Sequence, residues 1–551
     1  MPPMIGGHLV SRALKNEGVR CVFTLCGGHV APIYDGCLRH GIDIVDTRHE
    51  QAAAHAADGW ARLVRGPGVA IVTAGPGVTD AVTGVANAFQ AQSPLILLGG
   101  AAELRVSGRG ALQEMEQVSL MRPITKWSAQ VTDARRIPEM VQTAIRIATS
   151  GVPGPVFLEL PFDVLTSQVD ETPGPPPLQP WPRMPGDPDA IRRAAELIAE
   201  AKRPVLFVGS QVWWDDASAS LRALVERLGV PTVMNAMGRG ALAHDDPFAV
   251  HLARKNAFRK TDCIVIVGTP LDFRVGYGAG IAAEAKVIQI DRDPTRISQN
   301  RPTHVAILGD ARSILTSLAD AAQAAGARPD RFAGWVEELR GHEKRAREEL
   351  DVLARSNERP TNHYRLGHAI AEATASLGDD VILIGDGGDV VALASKVIPL
   401  SQPGRWLDPG PLGCLGVGAP FALAAKKLYP EKKVVVLSGD GSFGLNGFDF
   451  ESCVRFKLPV TVVVGNDAAW GQIRGPQVMI FGSERAPATK LAPTRYDRIV
   501  EAFGGRGYHV EDPADVASTI KTAIASDQVA CVNVPIDPDF VVKTGASKLT
   551  V

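Results

Sequence analysis

The sequence is short of cysteine, of net charge and of long apolar runs, and each shortage excludes something. Seven cysteines, Cys21, Cys26, Cys37, Cys263, Cys414, Cys453 and Cys531, are scattered without CxxC spacing. Neither a disulfide framework nor a zinc site is indicated, and the thiols read as reduced in a cytosol. The formal net charge is -2, which leaves no basic excess to attract nucleic acid or an anionic membrane. No segment approaches the roughly 20 uninterrupted apolar residues of a spanning helix. Met1 to Val10 lacks the basic and apolar regions of a signal peptide. The expectation is a soluble, unprocessed, cytoplasmic protein with no nucleic-acid or membrane partner.

What is present is an ordinary globular composition, 45% hydrophobic and 21% charged, over 551 residues. That length exceeds one compact core and predicts several domains. Short β-branched runs alternate with helix-like stretches from the N-terminus to about Asp170: Cys21–Leu25, Ile42–Asp46, Val69–Thr73, Leu95–Leu98 and Val156–Leu160. Such alternation predicts a parallel sheet with helices on both faces. Residues 171–188, rich in proline and glycine, read as a linker. A second α/β pattern, 189–330, has strands expected at Val205–Val208, Thr232–Met234, Cys263–Val267 and Val287–Ile290. A charged, helix-like stretch within 331–360 leads to a third pattern over 361–551, with strands at Val381–Ile384, Val434–Leu437 and Val460–Val464. The predicted fold class is therefore α/β, with three doubly wound parallel-sheet domains.

Two loops that follow predicted strands carry the chemistry. Gly439-Asp440-Gly441-Ser442 follows Val434–Leu437, and Asn466-Asp467-Ala468-Ala469-Trp470-Gly471 follows Val460–Val464. Mg²⁺ takes hard oxygen ligands in near-octahedral geometry, which Asp440, a side chain at 467 and a nearby backbone carbonyl can supply. Gly441 and Ser442 let backbone and hydroxyl donors approach phosphate oxygens. Asp-Gly alone is a common turn pair; the second loop at its spacing is what weighs against a plain turn.

The pair of loops resembles the signature of thiamine-diphosphate (ThDP) enzymes, in which GDG precedes a paired Asn whose second member binds the metal. Here that second Asn is replaced. The resemblance implies ThDP and Mg²⁺ as cofactors, with Asp440, Asp467 and the Ala469 carbonyl as metal ligands, so that the site carries two carboxylates. It also implies a role for Glu50 in Thr47-Arg48-His49-Glu50, since a glutamate there hydrogen-bonds the pyrimidine ring and activates the cofactor. Without the resemblance, such a Glu reads as a helix N-terminal charge. Domains of the acetolactate-synthase type come in this order: pyrimidine-binding, middle and diphosphate-binding. Thr73 in Thr73-Ala74-Gly75-Pro76-Gly77, Gly388 and Asp389, Gly413, and the apolar prop Leu415 fall in loops that resemble the family's cofactor-contacting segments, and Trp470 and Gly471 join them.

Cys26-Gly27-Gly28-His29 and Gln113 resemble benzaldehyde lyase and the acetolactate-synthase-like 2-hydroxyacyl-CoA lyases, in which a His and a Gln face the reacting carbon. His29 suits proton transfer near neutral pH. The further strings Gly268-Thr269-Pro270-Leu271-Asp272-Phe273-Arg274 and Met237-Gly238-Arg239-Gly240 point to the acyl-CoA lyases, and so imply cleavage of a 2-hydroxyacyl-CoA to an aldehyde or ketone plus formyl-CoA. Acetolactate synthase and a benzaldehyde-lyase-like 2-hydroxy-ketone lyase are the alternative enzymes, and a non-catalytic nucleotide-binding protein is the alternative of another class. An acyl-CoA substrate needs phosphate partners, for which the middle domain offers Gly209, Arg274, Asp291, Arg292, Arg296 and Asp310 as candidates for ADP or CoA, less so FAD. The family pattern implies a homo-oligomer, dimer or tetramer, with active sites at subunit interfaces. The tail from Val541 to Val551 is a candidate lid.

Overall fold

The computed structural model describes residues 4–170 and 174–544. The part of the linker at 171–173 and the part of the candidate lid at 545–551 lie outside the described residues.

Three six-stranded sheets, each with every pairing parallel, account for the architecture, and a two-stranded antiparallel ribbon joins Met4–Ile5 to Gln168–Val169. In the N-terminal sheet the spatial order is Asp43–Asp46, Cys21–Thr24, Gly68–Val72, Leu95–Ala101, Val156–Pro161 and Trp127–Gln130. The middle sheet runs Ala249–Val250, Thr232–Met234, Pro204–Val208, Cys263–Val267, Lys286–Asp291 and Val305–Leu308. The C-terminal sheet runs Trp406–Leu407, Val381–Asp386, Lys433–Gly439, Thr461–Asn466, Ala530–Pro535 and Arg506–His509. Central strands such as Gly68–Val72 and Leu95–Ala101 are buried along their whole length, as a sheet covered by helices on both faces requires.

The runs expected from the sequence all form strands, with limits that differ from the predicted ones by no more than three residues. Trp127–Gln130, Ala249–Val250, Val305–Leu308, Trp406–Leu407 and Arg506–His509 were not legible, because short edge strands need little apolar sequence. Ala530–Pro535 was also missed, since the buried Asn533 interrupts its apolar run. Residues 174–187 hold no helix or strand, and Asp187 caps the helix Pro188–Glu200 by accepting from the Asp189 and Ala190 amides. The charged stretch forms the helix Pro329–Ala354.

The outer two sheets are joined through helices. Glu50–Val64 packs on Gly418–Leu428, and one apolar cluster contains Ala53, Trp60, Phe421 and Ala425. Inside that contact Arg62 and Asp58, 2% and 0% exposed, pair at 2.7 Å. Arg62 also donates to the carbonyls of Asp408 at 2.6 Å and Pro409 at 3.2 Å, while Asn87 donates to Asp58 at 3.1 Å. The charges are buried but nearly every hydrogen-bonding site is used, the condition under which a buried ion pair is tolerated.

Candidate active site

A cavity of about 310 Å³ opens at the carboxyl ends of three adjacent strands of the C-terminal sheet. Chain order reverses there between Val381–Asp386 and Lys433–Gly439, the kind of switch point where open α/β sheets take ligands. The first of these strands delivers Gly388 and Asp389 to the cavity wall; the second delivers Asp440, Gly441 and Ser442. The third, Thr461–Asn466, delivers Asp467, Ala469, Trp470 and Gly471, and the loop before Gly418–Leu428 adds Gly413 and Leu415. Every cofactor residue expected in this half of the chain therefore lines one space.

The loops are held by polar groups the sequence reading did not single out. Asp386 is 2% exposed and accepts from the amides of Gly416 at 2.9 Å and Gly418 at 2.8 Å, which fixes the turn carrying Leu415. Its burial pushes its carboxyl up to about 6. Asn466 donates to Asn533 Oδ1 at 3.1 Å and to the Thr494 carbonyl at 2.8 Å, and accepts from the Ala468 amide at 3.2 Å. Ala468 is forced to φ 51, a left-handed conformation rare for a residue with a side chain, and that reversal sets Asp467 and Ala469 against the cavity.

Asp440 and Asp467 lie side by side, within hydrogen-bond reach of each other. Asp440 is 2% exposed; its Oδ1 accepts from the Gly441 amide at 2.9 Å, but its buried Oδ2 has no partner. Burial raises both carboxyls, and for Asp467 the neighbouring Asp440 adds to the rise. No described lysine or arginine lines the cavity. An orphaned carboxylate oxygen with a second carboxylate beside it fits a divalent cation better than any neutral ligand. The backbone is close-packed here too: a Cβ on Gly441 would lie 2.5 Å from the Trp470 ring, and one on Gly471 2.5 Å from Asp467 Oδ2. Gly439-Asp440-Gly441-Ser442-Phe443-Gly444 also has the GxGxxG spacing of dinucleotide loops. Asp440 at its second position repels an uncompensated pyrophosphate.

The N-terminal residues assemble at the carboxyl edge of their own sheet. Glu50 opens the helix Glu50–Val64, is 7% exposed, and is raised by burial, with Asp80 adding to the rise. The preceding turn is pinned by the Arg48 amide donating to Asp449 Oδ1 at 2.9 Å and by His49 Nδ1 accepting from Gln51 at 3.1 Å. His29 Nδ1 bonds Thr73 Oγ1 at 3.1 Å, and burial lowers the pKa of its ring. Gln113 packs on the same loop, since a Cβ on Gly75 would lie 2.8 Å from the Gln113 Cβ and carbonyl oxygen. Gln113 itself sits at φ 62.

Behind this loop is a network that sequence reasoning missed. Gln117, 2% exposed, accepts from the Gly75 amide at 2.7 Å and donates to the Gly100 carbonyl at 3.0 Å and to Glu159 at 2.7 Å. Gln130 donates to the other Glu159 oxygen at 2.5 Å. Nothing in the spacing of these residues marks them; only the fold joins them. Glu50, His29, Thr73 and Gln113 do not line the cavity that holds Asp440.

The middle-domain candidates gather along the carboxyl edge of their own sheet, linked through Gln211 and Asp215, and their polar groups are already engaged. Gly209 ends Pro204–Val208 at that sheet's switch point. Asp291 accepts from Gln211 at 2.6 Å, and Asp310 caps Ala311–Ala324 through the Ser313 amide. Arg274, Arg292 and Arg296 pair with Asp272 at 2.6 Å, Asp215 at 2.6 Å and Asp293 at 3.4 Å. Each arginine thus already has a carboxylate neighbour, and Asp291 and Asp310 serve internal hydrogen bonds.

Comparison with known proteins covers all three sheets. The thiamine pyrophosphate enzyme N-terminal TPP binding domain matches residues 4–120, the central domain 191–318 and the C-terminal TPP binding domain 386–534. A probable acetolactate synthase of Mycobacterium bovis is 39% identical over 97% of this chain and 96% of its own length. The 2-hydroxyacyl-CoA lyase 2 of Homo sapiens is 40% identical over 91% of this chain and 84% of its own, and that of Danio rerio 38% over 95% and 89%. With matches to the family's three domains in order and relatives that span nearly its whole length, the chain belongs to the thiamine pyrophosphate (ThDP) enzyme family.

Proposed function

We propose that the protein is a ThDP- and Mg²⁺-dependent carbon–carbon lyase that cleaves a 2-hydroxyacyl-CoA into an aldehyde or ketone and formyl-CoA. The observation that carries this reading is the meeting of His29 and Gln113 at the Thr73–Gly77 loop. Cleavage of a 2-hydroxyacyl group requires removal of a hydroxyl proton, which carboligation of two pyruvates does not begin with. His29, kept neutral by burial, is a ready acceptor for that proton, and the Gln113 amide is a donor for the same oxygen.

Bound ThDP supplies the electron sink for the bond cleavage. Asp440, Asp467 and the Ala469 backbone hold the Mg²⁺; Gly388, Asp389, Gly413, Gly441, Ser442, Trp470 and Gly471 form the walls against the diphosphate, and Leu415 props the cofactor from below. Glu50 would bond the pyrimidine, and burial raises its carboxyl above the ordinary carboxylate range. Thr73 anchors His29 and borders the cofactor.

Glu50 does not line the cavity that holds Asp440, which supports a working site assembled from two copies, Glu50 of one facing Asp440 of the other. Exposed Leu112 and Met115 in the N-terminal half and Leu412, Leu445, Phe448 and Ile473 in the C-terminal half are the apolar surface such an assembly buries. The CoA moiety lies towards the middle domain, with Gly209, Arg274, Asp291, Arg292 and Asp310 as its candidate neighbours. Acetolactate synthase is the second reading, favoured by the mycobacterial relative. Purified protein is assayed on a panel of 2-hydroxyacyl-CoA thioesters, beside pyruvate and benzoin, with and without ThDP and Mg²⁺. Formyl-CoA formed only with both cofactors is the expected result. Acetolactate from pyruvate would move the assignment to the synthase.

A further inference from the structure

The carboxylate at position 467 has a consequence for how the site is loaded. The cavity presents Asp389, Asp440 and Asp467 and no described lysine or arginine. Among the described residues its only other titratable wall residue is His363, whose burial pushes it down to about 4, so that it brings no positive charge near neutral pH. A diphosphate entering such a space meets the Ser442 hydroxyl and the backbone of the glycine loops, but three carboxyl side chains and no cationic one among the described residues. A divalent cation, in contrast, meets the unpartnered Oδ2 of Asp440, buried to 2% exposure, with the Asp467 carboxyl beside it. The Asp467 side chain is fixed in place, since its Oδ1 accepts from the Ala469 amide at 3.2 Å and its Oδ2 lies against Gly471, where even a Cβ would approach to 2.5 Å.

We propose that Asp467 makes this chain bind its divalent cation before, and independently of, the diphosphate cofactor, so that the cation-loaded cavity is the form that accepts ThDP. A neutral amide at 467 would offer the cation one carboxylate ligand fewer, making its capture more dependent on the diphosphate's own oxygens. The inference rests on membership of the ThDP family and on the cavity, not on the lyase reading, so its test is blind to which reaction the enzyme performs.

The test uses the full-length protein stripped of cofactor and metal, with Mn²⁺ as the probe, in wild type and Asp467→Asn. Mn²⁺ binding without ThDP is measured by titration calorimetry, and ThDP binding is followed in chelator and at saturating Mn²⁺ through tryptophan fluorescence, Trp470 being part of the cavity wall. Wild type is expected to bind one Mn²⁺ per chain without cofactor, and Asp467→Asn to bind it ~10-fold or more weakly. Both forms are expected to bind ThDP at saturating Mn²⁺ and neither to bind it tightly in chelator. Retained ThDP binding by the cation-saturated variant separates the loss of a ligand from damage to the fold, which would weaken both. No cofactor-free Mn²⁺ binding by wild type, binding unchanged in Asp467→Asn, or both affinities falling together would overturn the proposal.

Discussion

The two carboxyl edges that carry the candidate chemistry are built on opposite principles. At the N-terminal sheet the polar groups satisfy one another: Gln117 spends its amide on Gly75, Gly100 and Glu159, and Thr73 holds His29. At the C-terminal sheet the polar groups are left wanting, with an orphaned Asp440 oxygen beside a second carboxylate in a cavity that no described lysine or arginine lines. A satisfied network holds a geometry; an unsatisfied one requires a ligand. One edge is thus preorganised for positioning and the other for capture.

That contrast is broken or sharpened by substitution. The largest effect is expected for Asp440→Ala, which should abolish metal-dependent cofactor binding and lower kcat/KM by on the order of 10³-fold or more; retention of tight ThDP binding would remove the capture role from this edge. Glu50→Gln should lower kcat by about 10²- to 10⁴-fold while ThDP still binds the C-terminal cavity, which calorimetry can check. Loss of both together would mean that the two edges do not divide the work.

His29→Ala should cost about 10²-fold in kcat, the lower end for a positioned proton-transfer group. The pH profile adds a sign. Burial moves His29 below the free value of 6.5, so the neutral, proton-accepting form persists into mildly acid solution. The acid limb of wild-type activity should therefore fall below pH 6.5, and its histidine component should vanish in His29→Ala. Gln117→Ala strands the Gly75 amide, the Gly100 carbonyl and one Glu159 oxygen, for an expected loss of about 1–3 kcal/mol in stability. It should also lower kcat more than it raises KM if the network acts by holding His29 and Gln113; an unchanged kcat would make the network structural only.

The smallest effect concerns the seam between the halves. Asp449, which receives the Arg48 amide, is lifted by burial from 3.8 to about 7. A folded pKa above the unfolded one means its stabilising contribution is complete below pH 3.8 and is lost as the pH rises to about 7. Asp449→Asn does not titrate, so relative to wild type it should gain on the order of 1–2 kcal/mol between pH 4 and pH 8. Denaturant melts at the two values measure the difference.

The sequence by itself determined the strands with continuous apolar runs and the loops that end them. Val434–Leu437 and Val460–Val464, for example, announced the GDGS and NDAAW turns, because hydrophobic periodicity and turn chemistry act over a few neighbouring residues. The residues expected in the C-terminal half from loops that resemble the family's all lie on the wall of one cavity. Only the tertiary structure decided that Asp440 and Asp467 touch, that Asp386 pins the Leu415 turn, that Asn533 braces Asn466, and that Gln117 and Glu159 stand behind Gly75. It also decided that Glu50 does not line the cavity that holds Asp440 and that the middle-domain arginines have carboxylate neighbours. Each of these is a pairing of buried polar groups from distant segments. Such pairings are set by which sheet edges the fold brings together, and no short-range pattern records them.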